Sequence, residues 1–134
     1  MTQAYNKYNV FLADLANILH DLSGATKSYE VALTNTAPAA TDSTLNGEIS
    51  YTNLSARDLT ITSSTQTSGT YSWIVADLTL TASGAVATFR YVAVRQKTTG
   101  KLVGWYDYGS SVTMGNGDTF RVDLDNVNGI LQIV

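Results

Sequence analysis

The chain of 134 residues has no cysteine, one proline (Pro38), one histidine (His20) and only 14% charged residues. Each shortage excludes something. Without cysteine there is no disulfide scaffold and no thiolate-based zinc or redox site. With one histidine, and no motif that places a nucleophile, general-base and nucleophilic catalysis lack their usual residues. Eight lysines and arginines, scattered along the chain, face eleven acids, for a net charge of −3. That leaves no basic field to hold nucleic acid or an anionic membrane surface. No stretch approaches the ~18 uninterrupted apolar residues of a membrane-spanning helix. The polar N-terminus has neither the basic start nor the apolar run of a signal peptide, so synthesis in the cytoplasm is expected.

What is present is a Thr-, Ser-, Ala- and Gly-rich body punctuated by eight Tyr and two Trp. The length suits a single domain over residues 1–134, large enough to bury a core without cross-links. Its expected parts are a polar arm (1–9), one helix (10–22) and a β domain (28–134). Phe11, Leu15, Ile18 and Leu22 recur at helical spacing with Leu12 and Leu19 beside them, while Asp14, Asn17 and Asp21 fall on the other side. Asn9 reads as the N-cap, and Ser23-Gly24 as the stop.

Beyond the helix the period changes to two. Residues 28–35 read as a strand, closed near Pro38. Residues 37–56 read as a surface loop with a weak strand at 48–53. Alternation resumes over 57–63, and 63–69 reads as a polar connection or edge segment. In residues 70–81, Ile74, Ala76, Leu78 and Leu80 form one face and Tyr71, Trp73, Val75 and Asp77 the other. Residues 86–97 set Phe89, Tyr91 and Ala93 opposite Val92 and Val94. Thr98-Thr99-Gly100 signals a hairpin into 101–108. Asn116-Gly117-Asp118 turns the chain into 119–125, and Asn126-Val127-Asn128-Gly129 into a last strand at 130–134. The fold class expected is mainly β: an antiparallel β-sandwich or small barrel with one short N-terminal amphipathic helix.

Three constellations bear on chemistry. Asp123-x-Asp125-x-x-Asn128-Gly129 is out of step with a calcium loop and has no following bidentate Glu, so no metal site is assigned. His20 next to Asp21 reads as a polar group near a helix C-terminus, since sequence neighbours point apart on a helix. Asp77 and Asp107 are the best carboxylates for glycoside hydrolysis, yet each reads more readily as an outer-face acid. No catalytic residue, metal or cofactor is therefore expected, and the protein is read as a non-enzyme. Tyr71, Trp73, Trp105, Tyr106 and Tyr108 place rings on both faces of neighbouring strands, which suits protein contacts or sugar platforms. Tyr5 and Tyr8, with Phe11 continuing into the helix, are the expected anchors of an arm that orders on a partner rather than on its own domain.

Several stretches taken in order carry a resemblance. They are residues 5–22, Val31-Ala-Leu-Thr-Asn-Thr-Ala-Pro38, Ser64-Thr-Gln-Thr-Ser-Gly-Thr-Tyr71, Ala76-Asp-Leu-Thr-Leu-Thr-Ala-Ser-Gly84 and Leu102-Val-Gly-Trp-Tyr-Asp-Tyr-Gly-Ser-Ser111. Together these resemble small structural, decoration-type virion proteins of tailed bacteriophages. The resemblance implies a capsid decoration (cement) protein that stabilises the head in the virion. Its expected partners are the major capsid protein or other virion proteins and further copies of itself, as a trimer. The alternative is a receptor- or glycan-binding module of a tail fibre or tail tip, resting on Trp73, Trp105, Tyr106 and Tyr108.

Overall fold

The computed structural model describes residues 4–125 and 129–133. In chain order the elements are β1 (Asn6–Lys7), α1 (Asn9–Ala16), β2 (Tyr29–Thr34), β3 (Ile61–Thr67) and β4 (Thr70–Val75). There follow β5 (Leu78–Thr81), β6 (Val86–Gln96), β7 (Leu102–Met114), β8 (Thr119–Val122) and β9 (Leu131–Ile133). Every pairing is antiparallel. The sheets run β1-β7-β6-β2, β3-β4-β9 and β5-β8. The architecture is a small antiparallel β-sandwich with one short helix near the N-terminus, the fold class expected from the sequence.

The four-stranded sheet is buried on both faces. Inward, Val31, Leu33, Phe89, Val92, Val94, Val103 and Tyr106 join Trp73, Val75, Leu80, Phe120, Val122 and Leu131 from the other two sheets in one core. Outward, Ala32, Ala93, Leu102 and Trp105 form a second cluster under Tyr8, with Val10, Leu45 and Tyr91 around it. This explains β2, where all six residues are buried. A strand covered on both faces loses the apolar–polar alternation of a half-solvated one.

The arm corrects an expectation. Rather than leaving its own domain, it grips the edge of this sheet with one ring on each face. Asn6 and Lys7 pair with Trp105 and Gly104. Tyr5 lies on the inner side against Tyr106, with centroids 4.9 Å apart, and Tyr8 on the outer side against Trp105 at 4.7 Å. Tyr8 is fully buried. Gly104 makes this possible, because a Cβ there would overlap the Tyr5 ring. The physical reason is the area at stake: a docked aromatic ring removes far more apolar surface from water than a polar arm needs to offset its ordering.

The helix is also shorter than its apolar spacing predicts, ending at Ala16 instead of Leu22. Its N-cap is Tyr8, with no side-chain cap bond, instead of Asn9. At the other end Leu19 N–H bonds Asp14 O (2.8 Å) and Ile18 N–H bonds Leu15 O (3.1 Å), with Ile18 at φ +62°. These two bonds are the Schellman closure, in which the left-handed position normally carries glycine. Gly24, read as the stop, does have positive φ (+78°), but in the loop beyond.

Three strand boundaries differ for local reasons. β3 extends to Thr67, so the segment read as a polar connection or edge segment is an edge strand up to there, because Ser68 (φ +51°) and Gly69 (φ +85°) make a tight two-residue turn into β4. Residues 70–81 divide into β4 and β5, so the buried set changes from Trp73 and Val75 to Leu80 and Ala82. Register shifts between Phe89 and Tyr91 likewise move Val92 and Val94, rather than Tyr91 and Ala93, onto the core face that Phe89 occupies. The turn read at Asn126-Val127-Asn128 and the terminal Val134 lie outside the described residues.

Candidate functional site

The end of α1 and the loop after it form the most unusual surface of the molecule. The left-handed conformation of Ile18 costs a β-branched residue on the order of 1–2 kcal/mol. No burial offsets this, since Ile18 is 86% exposed. Leu19 beside it and Leu12 on the helix are also exposed. Just past them the chain descends to the β3-β4-β9 sheet and leaves an open groove of about 290 Å³ lined by Leu15, His20, Asp21, Leu22, Ser64, Tyr71 and Ile133. Ile133, on the outermost strand of that sheet, is another exposed aliphatic.

The groove is set by a polar framework. Trp73 Nε1–H donates to Leu22 O (2.8 Å), tying the loop to β4. Asp21 accepts from the amides and hydroxyls of Ser23 and Thr26. These bonds hold its carboxyl well below the usual range. Ser64 and Tyr71 join their hydroxyls at 2.6 Å.

His20 is buried, not a solvated group at a helix end. Gln96 fixes its tautomer. The Gln96 amide nitrogen donates to Leu19 O and lies 3.1 Å from His20 Nδ1, while Gln96 Oε1 accepts from Thr99 Oγ1. Nδ1 is therefore an acceptor, and the proton of the neutral ring sits on Nε2. Tyr29 Oη completes the contact at 3.2 Å. Nε2 is buried without a partner among the described residues. Burial lowers the imidazole pKa; the nearby Asp14 opposes this and Lys101 adds to it.

The structure places the sequence-derived ring candidates mainly inside. Phe11 and Trp73 are fully buried, Trp105 and Tyr106 nearly so, and Tyr5 and Tyr8 are the docked arm. Tyr71 is half-buried in the groove wall, and Tyr108, 39% exposed, rests edge-on against Phe120. Of the candidate rings Tyr108 is the exposed one among the described residues, with Tyr5 and Tyr71 half-buried. Asp77 and Asp107, the carboxylates considered for hydrolysis, each face an arginine. Asp107 bonds Arg90 at 2.8 and 3.1 Å, which lowers its pKa, and Asp77 pairs with Arg121 and accepts from Leu124 N–H. Among the described residues no group of three or more His, Cys, Asp or Glu could hold a metal ion.

The aliphatic surface at Ile18, Leu19 and Ile133 is hidden in the sequence because apolar spacing carries the helix straight through it. The detectable signal is the missing glycine at the true helix end. In comparisons with known proteins, no family, curated protein or solved structure matches the chain.

Proposed function

We propose that this protein is a structural component of a tailed-bacteriophage virion, attached to the head as a decoration subunit that stabilises the shell. The resemblance of its segments to such proteins suggests the setting. The observation that carries the reading is Ile18: a strained and exposed aliphatic, next to Leu19 and an open groove, held where folding alone favours glycine. Strain kept at a surface position is a signature of a site maintained for contact. The mechanism is differential binding, in which the subunit contacts the mature shell more favourably than the immature one and shifts the balance towards it.

The receptor- or glycan-binding alternative has less to stand on, because Trp73 and Trp105, its main stacking platforms, are buried. Cryo-electron microscopy of virions carrying the protein tests the proposal; density confined to the tail would refute it. Ile18→Gly sharpens the test. The variant should gain about 0.5–1 kcal/mol in stability through relief of the left-handed strain, yet show reduced occupancy on heads. Full occupancy by Ile18→Gly combined with Leu19→Ser would remove this surface from the contact.

A further inference from the structure

The two long edge strands of this fold are treated in opposite ways. Along β2 five of the six outward main-chain groups at residues 29, 31 and 33 are covered. Tyr29 O accepts from Leu59 N–H (2.9 Å), and Leu33 O from Ile49 N–H (3.0 Å). Val31 N–H donates to Arg57 O (2.9 Å), and Val31 O accepts from Arg57 Nη1 (2.6 Å). Leu33 N–H donates to Tyr51 Oη (2.9 Å). The segment that supplies these partners is fastened by ion pairs of Glu30 with Arg57 and Arg95 and of Glu48 with Arg95. That edge is closed to any other strand.

β3 has no such cover. It is a seven-residue edge strand, and residues 59–76, which span it and β4, contain no charged residue and no proline. The two-residue turn makes Thr67 and Thr70 a hydrogen-bonded pair, so Thr65 and Ser72 form the next one. Ser64 and Gln66 therefore turn their N–H and C=O groups away from β4. The opposite residue Trp73 confirms this alternation, since its carbonyl accepts from Ile130 N–H on the β9 side (3.0 Å). No main-chain or side-chain group among the described residues meets Ser64 or Gln66 on the outward side. Charges, proline and covering loops are the usual guards of such an edge, and among the described residues Ser64–Gln66 of β3 have none of the three.

We propose that β3 is the surface through which two copies of this chain associate, by antiparallel β3–β3 pairing about a two-fold axis. The regular part of the strand beyond its bulge, Ser63–Thr67, is centred on Thr65. An axis there sets Ser64 opposite Gln66 of the second copy, which forms four main-chain hydrogen bonds, and sets Thr65 opposite itself. Neutral hydroxyl side chains make favourable cross-strand pairs, and no like charges meet. The two β3-β4-β9 sheets become one six-stranded sheet, of the isologous kind commonest among homo-oligomers. The pairing is two-fold, unlike the trimer that the virion resemblance implies, and it does not depend on the virion reading.

Sedimentation analysis of the intact protein should show a dimer. Thr65→Lys, which sets two like charges face to face on an exposed position, should weaken it about tenfold while leaving unfolding of the dilute protein unchanged. Thr65→Cys, which introduces the sole thiol of the chain, should give a disulfide-linked dimer on mild oxidation; Thr79→Cys, exposed on β5, should not. A monomer at every concentration overturns the proposal. So does a dimer indifferent to Thr65→Lys that also fails to cross-link as Thr65→Cys, or a trimer joined through β3 and β9.

Discussion

Removing the N-terminal arm, so that the chain begins at Asn9, should destabilise the domain by about 2–4 kcal/mol. The largest contribution is Tyr8, fully buried over Trp105, Ala32, Ala93 and Leu102. Truncating a buried ring of that size costs roughly 3–5 kcal/mol. Tyr5 adds its contact with Tyr106 and with the inner core, and the Tyr8 N–H bond to Val103 O (3.2 Å) is lost. Against this stands the conformational freedom returned to the removed residues, which keeps the net loss below the sum of the two ring contacts. The unsatisfied hydroxyls of Tyr5 and Tyr8 reduce the benefit of docking further. The net loss should lower the midpoint of thermal unfolding by about 10 °C for a domain of this size. Gly104→Ala isolates one part of the effect, since its methyl displaces Tyr5 while Tyr8 stays in place; it should cost about 1–3 kcal/mol. Calorimetry of the three proteins decides the matter. An armless chain that melts within about 2 °C of the intact one would refute the reasoning and return the arm to a role outside its own domain.

Two further expectations concern buried polar groups. Tyr51→Phe removes the only partner that Leu33 N–H has among the described residues, in a fully buried strand residue, together with the bond to Glu48. Urea unfolding should show a loss of about 2 kcal/mol, and a loss below about 0.5 kcal/mol would mean that water reaches this edge. The second expectation is a pH dependence from His20, whose folded pKa lies below its ordinary 6.5. As pH falls the unfolded chain takes up the proton first, so the contribution is complete above pH 6.5 and declines as pH drops towards the folded value. Stability measured between about pH 5 and 7 should fall on the acid side, and His20→Gln should flatten that slope. An equal slope in both proteins would place its origin elsewhere. Glu48 acts in a lower window. Burial alone would raise its pKa, but Arg95, Tyr51 and Arg57 together hold it below 4.5, so its contribution is present above that pH and lost below it.

Much of the β architecture was legible because it rests on period and turns. The two-residue and Gly-containing connections at Gly100 and Gly117 appear where the residues ask for positive φ. β2, β6 and the start of β7 stand close to their apolar runs. The side chains' faces were less legible, since a bulge of one residue exchanges them and leaves no mark in composition. Phe89 and Val92 share a core although strict alternation sets them apart. The large rings misled for a related reason: when both faces of a sheet are covered, an aromatic on either face is core. Trp105 and Tyr106, adjacent in sequence, belong to separate clusters on opposite sides of β7.

The proposed contact surfaces were hidden by departures from the rules that made the fold readable. Ile18 occupies a glycine position, so a search for helix stops passes over it and assigns its apolar neighbours to a buried stripe. Most of β3 reads only as a polar connection or an edge segment because its Thr and Ser residues carry little apolar signal, although the same neutrality is what leaves its edge open to a second strand. Arg57 and Tyr51, distant in sequence from β2, fill the places of a missing neighbouring strand with a guanidinium and a hydroxyl stacked 3.5 Å apart (guanidinium carbon to ring centre). The chain thus commits two of its four arginines, Arg57 and Arg95, to closing one edge and withholds charge from the other. That asymmetry is a property of the folded pairing, and it is the ground on which we propose association at β3 rather than at the aromatic rings.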